Sequence, residues 1–301
     1  MSENLVSSAQ RQLGATVEVG PIALGCWRFT GTSDGDNARL IAGALDLGIN
    51  LVDNADVYGL DWGGSGFGAC EEALGRVFKL DTSLRDRIAL ATKGGIIPGV
   101  PYNSSAKYLV EACEKSLQRM NVEHVELYQV HRPDLFTHPD EVATAFSSLH
   151  DRGLVLMFGV SNYTTAQTRA LLARAHVPLV STQPEFSCAE LTAIRDGTLD
   201  LCIGAGMTPL AWSPLAGGRV ISGEGLRPEL IAVLDEVAER EKVSRAAVAV
   251  AFVLSHPADA VAIVGTQDLR HLAEITMATS IHLTRTDVYR IVEASEGKKL
   301  P

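Results

Sequence analysis

The chain has 301 residues, 46% hydrophobic and 21% charged, with 26 Lys and Arg against 36 Asp and Glu for a formal net charge of −10. This is globular composition for one large domain or two small ones, and the acidic balance disfavours a nucleic-acid groove or an anionic membrane surface, because neutralising phosphates takes clustered Lys and Arg. Five scattered cysteines (Cys26, Cys70, Cys113, Cys188, Cys202) include no CxxC pair, which argues against a disulfide framework or a zinc cluster and reads as reduced thiols.

The opening MSENLVSSAQ lacks a charged stretch followed by an apolar core, and nowhere do 18 apolar residues run together, so a soluble cytoplasmic protein is expected. No Pro/Ser-rich linker interrupts residues 1–301, which are expected to form one domain. In chain order, Arg11–Val19 reads as a hairpin and Ile22–Trp27 as a first buried strand. Helix-spaced apolar residues follow at Asn37–Leu47, then a strand at Ile49–Asp53 and a helix at Ala69–Leu80. The alternation continues with strand Ile88–Thr92, helix Ala106–Met120, strand Glu126–His131, helix Glu141–Arg152, strand Leu156–Val160 and helix Thr165–His176. It closes with strand Leu179–Gln183, helix Leu191–Ile203, strand Thr208–Trp212, helix Ser244–Ser255 and strand Ala260–Val264. Helices at Glu229–Lys242 and Thr286–Ser295 stand outside the alternation, as decorations. Polar caps for two of the helix starts lie in the Ser161-to-Thr165 stretch and at Ser244. Eight apolar strands alternating with helices over about 250 residues predict an α/β fold, a closed parallel (β/α)8 TIM barrel with an N-terminal β-hairpin and additional peripheral helices.

Chemistry in such a barrel sits where the strands end. The second strand runs into Asp53-Asn54-Ala55-Asp56-Val57-Tyr58-Gly59, the third into Thr92-Lys93-Gly94 and the fourth into His131-Arg132-Pro133. An acid, a phenol, a lysine and an imidazole are thus delivered to one rim. Singly, each has a structural reading as a cap, a core edge, a solvated strand end or a buried histidine. Jointly, a lysine emerging from an apolar strand needs a carboxylate, and Asp53 on the neighbouring strand supplies it. A phenol beside that ammonium is expected to have its pKa, ordinarily ~10, drawn toward neutrality.

These segments, with Gly25-Cys26-Trp27, Glu72-Ala73-Leu74-Gly75, His131-Arg132-Pro133-Asp134, Gly159-Val160-Ser161-Asn162-Tyr163, Trp212-Ser213-Pro214-Leu215 and Val264-Gly265-Thr266, resemble the aldo-keto reductases from about Ala15 to the end of the chain. Within that family the chain is most similar to bacterial members with a short C-terminus. The resemblance implies hydride transfer from a nicotinamide to an aldehyde or ketone, with catalytic Asp53, Tyr58, Lys93 and His131. Tyr58 would be the general acid, His131 a second donor, Lys93 the group tuning the phenol and Asp53 the anchor of Lys93.

The resemblance also implies a cofactor site. Ser161, Asn162 and Gln183 would meet the nicotinamide amide, and Trp212 would stack under the ring where many members have Tyr. Ser213, Pro214, Leu215, Gly217 and Arg219 would wrap the pyrophosphate, and Gly265, Thr266 and Gln267 would bind phosphate further along. Family members that prefer NADP often carry Lys or Arg in this segment to pair with the 2′-phosphate; here Gly265 and His271 stand at those positions with Arg270 beside them, so the match loosens, and NADP is expected with Arg270 and His271 near the 2′-phosphate and NAD as the alternative. Trp27 is assigned to the cofactor site and, with Trp62 and Phe67, to an aromatic-walled mouth. The Gly63–Gly68 stretch lacks GxGxxG spacing and reads as a flexible insertion over that mouth. Arg132 and Asp134 receive no role beyond bracing the rim.

No metal is required, and a metal-dependent barrel hydrolase is disfavoured because His131 and Asp53 lie on different strands without His-rich ligand spacing. The implied partner is a small-molecule carbonyl substrate, and the protein is expected to be a monomer or small homo-oligomer. Two other readings use the same scaffold: a redox-sensing or regulatory nicotinamide-binding subunit, and a physiological alcohol or sugar dehydrogenase.

Overall fold

The structure is a computed structural model that describes residues 3–31, 33–60 and 63–301. Strands β1 (Arg11–Leu13) and β2 (Val17–Val19) pair antiparallel, with Leu13 opposite Val17. The next eight are all parallel: β3 (Ile22–Gly25), β4 (Leu51–Asp53), β5 (Ala89–Gly94), β6 (Val125–Val130), β7 (Val155–Ser161), β8 (Leu179–Gln183), β9 (Thr208–Ala211) and β10 (Val261–Val264). They close in chain order, with β10 hydrogen-bonded to β3.

Two apolar layers explain why the strands read as unbroken hydrophobic runs rather than alternating ones. Ala23, Leu51, Ala89, Ala91, Leu127, Met157, Val180, Leu210, Val261 and Ile263 fill the barrel interior. Their neighbours Leu24, Val52, Leu90, Tyr128, Phe158, Leu179, Ala262 and Val264 face the helices. A strand buried on both faces has no polar positions to alternate with. The hairpin closes the floor: Leu13 and Val19 are fully buried in the interior layer. Burying such side chains contributes roughly 2 kcal/mol each.

The helices are α1 (Asp34–Asp46), α2 (Ala69–Leu80), α3 (Ala106–Met120), α4 (Pro139–Asp151), α5 (Thr165–Leu172), α6 (Thr192–Arg195), α7 (Thr198–Ala205), α8 (Arg219–Ser222), α9 (Pro228–Glu241), α10 (Arg245–Leu254), α11 (Leu269–Thr276) and α12 (Arg285–Glu296). Thr164 starts α5 with a reciprocal capping box to Gln167, and the Ser244 hydroxyl accepts from the Ala247 amide at the start of α10. Every residue of α10 from Ala246 to Leu254 is buried. That helix is covered by α9, which in turn carries α12, so the two helices outside the alternation form an outer layer.

The single helix expected over Leu191–Ile203 is instead two, α6 and α7. Gly197 between them sits at φ 81°, and the Asp196 carboxylate accepts from the Thr198 amide to begin a new helix. The short helix α8 lies outside the expected elements.

Candidate active site

The C-terminal ends of the barrel strands open into a cavity of about 1320 Å³, floored by Asp53, Tyr58 and His131. Each floor residue is placed by backbone that continues a strand. The Asn54 amide donates to Ala91 O and the Asp56 amide to Lys93 O, so β4 stays tied to β5 while the chain turns. Tyr58 N donates to Ala55 O in that turn, and the Cys70 amide of α2 donates to Tyr58 O, fixing the phenol-bearing residue from both sides. His131 N donates to Gly94 O, extending β6 by one residue.

Behind the floor lies a buried ion pair. Lys93 Nζ donates to Asp53 Oδ2 at 2.6 Å and to the Asn54 carbonyl at 2.7 Å, with Lys93 0% and Asp53 2% exposed. The second Asp53 oxygen accepts from Gln183 Nε2 at 3.0 Å and Gln129 Nε2 at 3.4 Å. Burial disfavours the Lys93 ammonium, but the Asp53 carboxylate, helped by Tyr58, more than reverses that penalty and holds the lysine above its ordinary value. Lys93 is therefore charged, beneath the cavity wall rather than on it.

The ammonium lies 5.0 Å from the centre of the Tyr58 ring. The depressed phenol expected from that proximity is not what the free protein has. Burial pushes the Tyr58 phenol up, and Lys93 pulls it down without reversing the shift, partly because Asp53 opposes it. A carboxylate that neutralises the lysine also neutralises much of its pull on the neighbour. Tyr58 is thus a protonated phenol throughout the neutral range. His131 presents its ring edge-on to Tyr58, with centroids 5.7 Å apart. Burial, with Lys93 and Arg132, pushes its pKa well down, so the imidazole is neutral, and its buried Nδ1 has no hydrogen-bond partner among the described residues.

One wall is a hydrogen-bonded network across four strand ends. Asn162, in the left-handed conformation at φ 58°, donates to His131 O (3.2 Å) and Ser161 Oγ (2.8 Å) and accepts from Trp212 Nε1 (3.1 Å). Ser161 Oγ donates to Gln183 O at 3.0 Å. The indole of Trp212 is thereby held against the cavity. Past it, the chain passes through positive φ at Ser213, Ala216, Gly217 and Gly218, a run of left-handed positions that glycine permits without strain at the last two. Arg219 Nε donates to Ala216 O, keeping the guanidinium beside this loop.

Trp27, Ser161, Asn162, Gln183, Trp212, Ser213, Pro214, Leu215, Gly217, Arg219, Gly265, Thr266, Gln267 and His271 all line the cavity. Arg270 does not. The Asp268 carboxylate that caps α11 by accepting from the Arg270 amide also takes its guanidinium, at 2.7 and 3.2 Å, and turns it to solvent. Phe67 likewise lies off the cavity, 5.7 Å from the Arg119 guanidinium, and Trp62 falls outside the described residues. The glycine-rich stretch from Gly63 to Gly68 contributes nothing to the cavity wall; it folds back through Gly66 N to Gly59 O and ends as the start of α2.

Several wall residues carried no signal in the sequence. Arg245 lines the cavity while gripping Asp235 with two bonds (2.6 and 2.7 Å) and donating to Val220 O and Ile221 O, so one side chain ties α8, α9 and α10 together. Arg28, Arg132, Glu185, Asp268 and Glu274 also face the cavity. Only the closing of the barrel brings these residues together, although Arg132 was within reach as the neighbour of His131.

Residues 21–296 match the family model described as Aldo/keto reductase family. A 6-dehydroglucose reductase of Novosphingobium aromaticivorans is 42% identical, the alignment covering the whole of both chains. Among solved structures, the glycerol dehydrogenase of Gluconobacter oxydans superposes with a TM-score of 0.82 at 26% identity, over 98% of each chain. An aldo/keto reductase from Klebsiella pneumoniae, solved with NADP and acetate, superposes with a TM-score of 0.79 at 22% identity, over 95% of this chain and 94% of that one. With a matching family model over nearly all of its length, a near relative aligned end to end and the same closed barrel, this chain belongs to the aldo/keto reductase family and is an NAD(P)H-dependent oxidoreductase.

Proposed function

We propose that the protein reduces an aldehyde or ketone to the alcohol with NADPH, Tyr58 acting as the proton donor. The observation that carries this reading is the buried Lys93–Asp53 pair beneath Tyr58, with neutral His131 beside it on the cavity floor. The cavity walls suit a nicotinamide dinucleotide: an aromatic face at Trp212, a left-handed glycine loop beside Arg219, and an unpartnered buried oxygen, Gln267 Oε1, at the far end. When bound there, the reduced nicotinamide supplies the hydride.

As the carbonyl carbon is reduced, charge develops on its oxygen and must be met by donors fixed in advance. The Tyr58 hydroxyl gives that oxygen its proton. The neutral His131 imidazole keeps one N–H, which it donates to the same oxygen. Lys93 holds positive charge beside the phenolate that results, and Asp53 keeps Lys93 charged and in place. In the reverse direction the Tyr58 phenolate accepts the alcohol proton. The 42% identical relative is named for 6-dehydroglucose, which makes a hydroxylated sugar carbonyl the first substrate to try.

The test follows the loss of NADPH absorbance at 340 nm with aldehydes, dicarbonyls and oxidised sugars. Turnover with at least one of them is expected, and cofactor binding without turnover on any carbonyl would contradict the reading. For the 2′-phosphate, the exposed Arg270–Asp268 pair is a weak tether that a phosphate can displace. Arg270→Ala should raise the Kd for NADPH about tenfold more than that for NADH, the scale of one charge-assisted hydrogen bond. Equal effects on both cofactors would remove Arg270 from the 2′-phosphate site.

A further inference from the structure

Two charged cavity residues, placed by the strand ends that carry His131 and Gln183, have no part in the proton transfer itself. Arg132 follows His131 at the end of β6, and Glu185 lies two residues beyond Gln183, which is bonded to Asp53, at the end of β8. Both line the cavity and both are partly buried. Neither the Arg132 guanidinium nor the Glu185 carboxylate makes a hydrogen bond or close ion pair among the described residues; at longer range burial, then Glu190, push the Glu185 carboxyl up, while Arg219 and, more weakly, Arg132 pull it down. The Glu185 backbone is fixed by its bridge to Trp212, so its carboxylate rises from a rigid part of the wall. Half-buried charged groups without protein partners are costly unless water or a ligand completes their hydrogen bonds.

We propose that Arg132 and Glu185 form a hydroxyl-recognition site that selects neutral carbonyl substrates bearing at least two hydroxyl groups beside the carbonyl. This rests on the carbonyl-reductase reading above and names its substrate class. A guanidinium only donates and a carboxylate only accepts, so the pair complements hydroxyls, which do both. The opposite signs also decide against an anionic substrate. A phosphate or carboxylate drawn to Arg132 would bring like charge to Glu185 within the same cavity. A plain alkyl aldehyde would leave both groups desolvated without partners, which is how a polar site rejects an analogue that lacks its hydroxyl. Trp27, 37% exposed, lines the same cavity from the end of β3.

The experiment compares kcat/KM for glyceraldehyde, propanal and glyceraldehyde 3-phosphate in wild type, Arg132→Met, Glu185→Leu and Glu185→Gln, all as the full chain with saturating NADPH. The readout is the ratio between substrates within each variant, so a lower folded fraction cancels. Wild type should favour glyceraldehyde over propanal by about 100-fold, and Arg132→Met or Glu185→Leu should each cut that ratio about tenfold, the scale of a hydrogen bond to a charged group. Glu185→Gln, which retains an acceptor, should keep most of the ratio and improve the phosphorylated substrate relative to glyceraldehyde. A ratio unmoved by Arg132→Met and Glu185→Leu overturns the hydroxyl site while leaving the reductase reading intact, as does a wild-type preference for glyceraldehyde 3-phosphate. No turnover with any of the three overturns the hydroxyl site, while the reductase reading falls only if the wider series of aldehydes, dicarbonyls and oxidised sugars is also inert.

Discussion

Tyr58→Phe should lower kcat for carbonyl reduction by about 10³-fold while changing the Kd for NADPH by less than about twofold, within the range that positioned proton donors contribute. The substitution removes one oxygen and keeps the ring, so the edge-on contact with His131 and the packing over Lys93 survive. What is lost is a donor used chiefly in the transition state, when the carbonyl oxygen takes on charge. Stopped-flow absorbance gives kcat, and quenching of tryptophan fluorescence gives the cofactor affinity. An unchanged kcat would remove Tyr58 from the reaction, and a lowered rate restored by raised NADPH would show that the phenol serves binding instead.

Breaking the Lys93–Asp53 pair should cost stability as well as rate. Lys93→Met leaves a carboxylate with 2% exposure and, among the described residues, only the amides of Gln183 and Gln129 to support it. Stranding one member of a buried pair costs about 3–5 kcal/mol, read here as a lower urea midpoint. Asp53→Asn strands the ammonium in turn and should destabilise by a similar amount. The double variant Asp53→Asn/Lys93→Met removes both charges and should recover most of that stability, since the two desolvation costs vanish together. It should not recover activity: all three variants should lose about 10²-fold or more in kcat, because a neutral floor no longer steadies the phenolate.

The pH dependence of that stability follows from the sign of the lysine shift. Lys93 is raised in the folded protein, so its contribution is complete below the unfolded value of about 10.4 and is lost as pH climbs through the folded value. Alkaline loss of stability from this source should be present in wild type and absent in the double variant. Calorimetry between about pH 7 and 11 measures it.

The barrel was legible because strands buried on both faces read as continuous apolar runs, and a polar residue at the end of such a run stands out. Asp53, Lys93 and His131 share that signature, and the structure brings them to one end of the barrel with Tyr58. Less legible was anything decided by competition between neighbours. The pull of Lys93 on Tyr58 could be inferred from their spacing, but not that burial and the Asp53 charge would outweigh it. Arg270 reads in the sequence as a free cation, and nothing there shows that the helix-capping Asp268 holds its guanidinium. Arg132, Glu185 and Arg245 meet only because strands and helices far apart in sequence close into one ring.

The central claim is that the proton reaching the product oxygen comes from the Tyr58 phenol. Burial holds that phenol above its usual value, so single-turnover reduction should be flat through the neutral range and fall with one ionisation above about pH 10. The direct measurement is the single-turnover rate against pH for wild type beside the residual rate of Tyr58→Phe, with NADPH saturating. The alkaline ionisation should be present in wild type and missing from the variant. The same ionisation in both would assign the proton to another group and contradict the account.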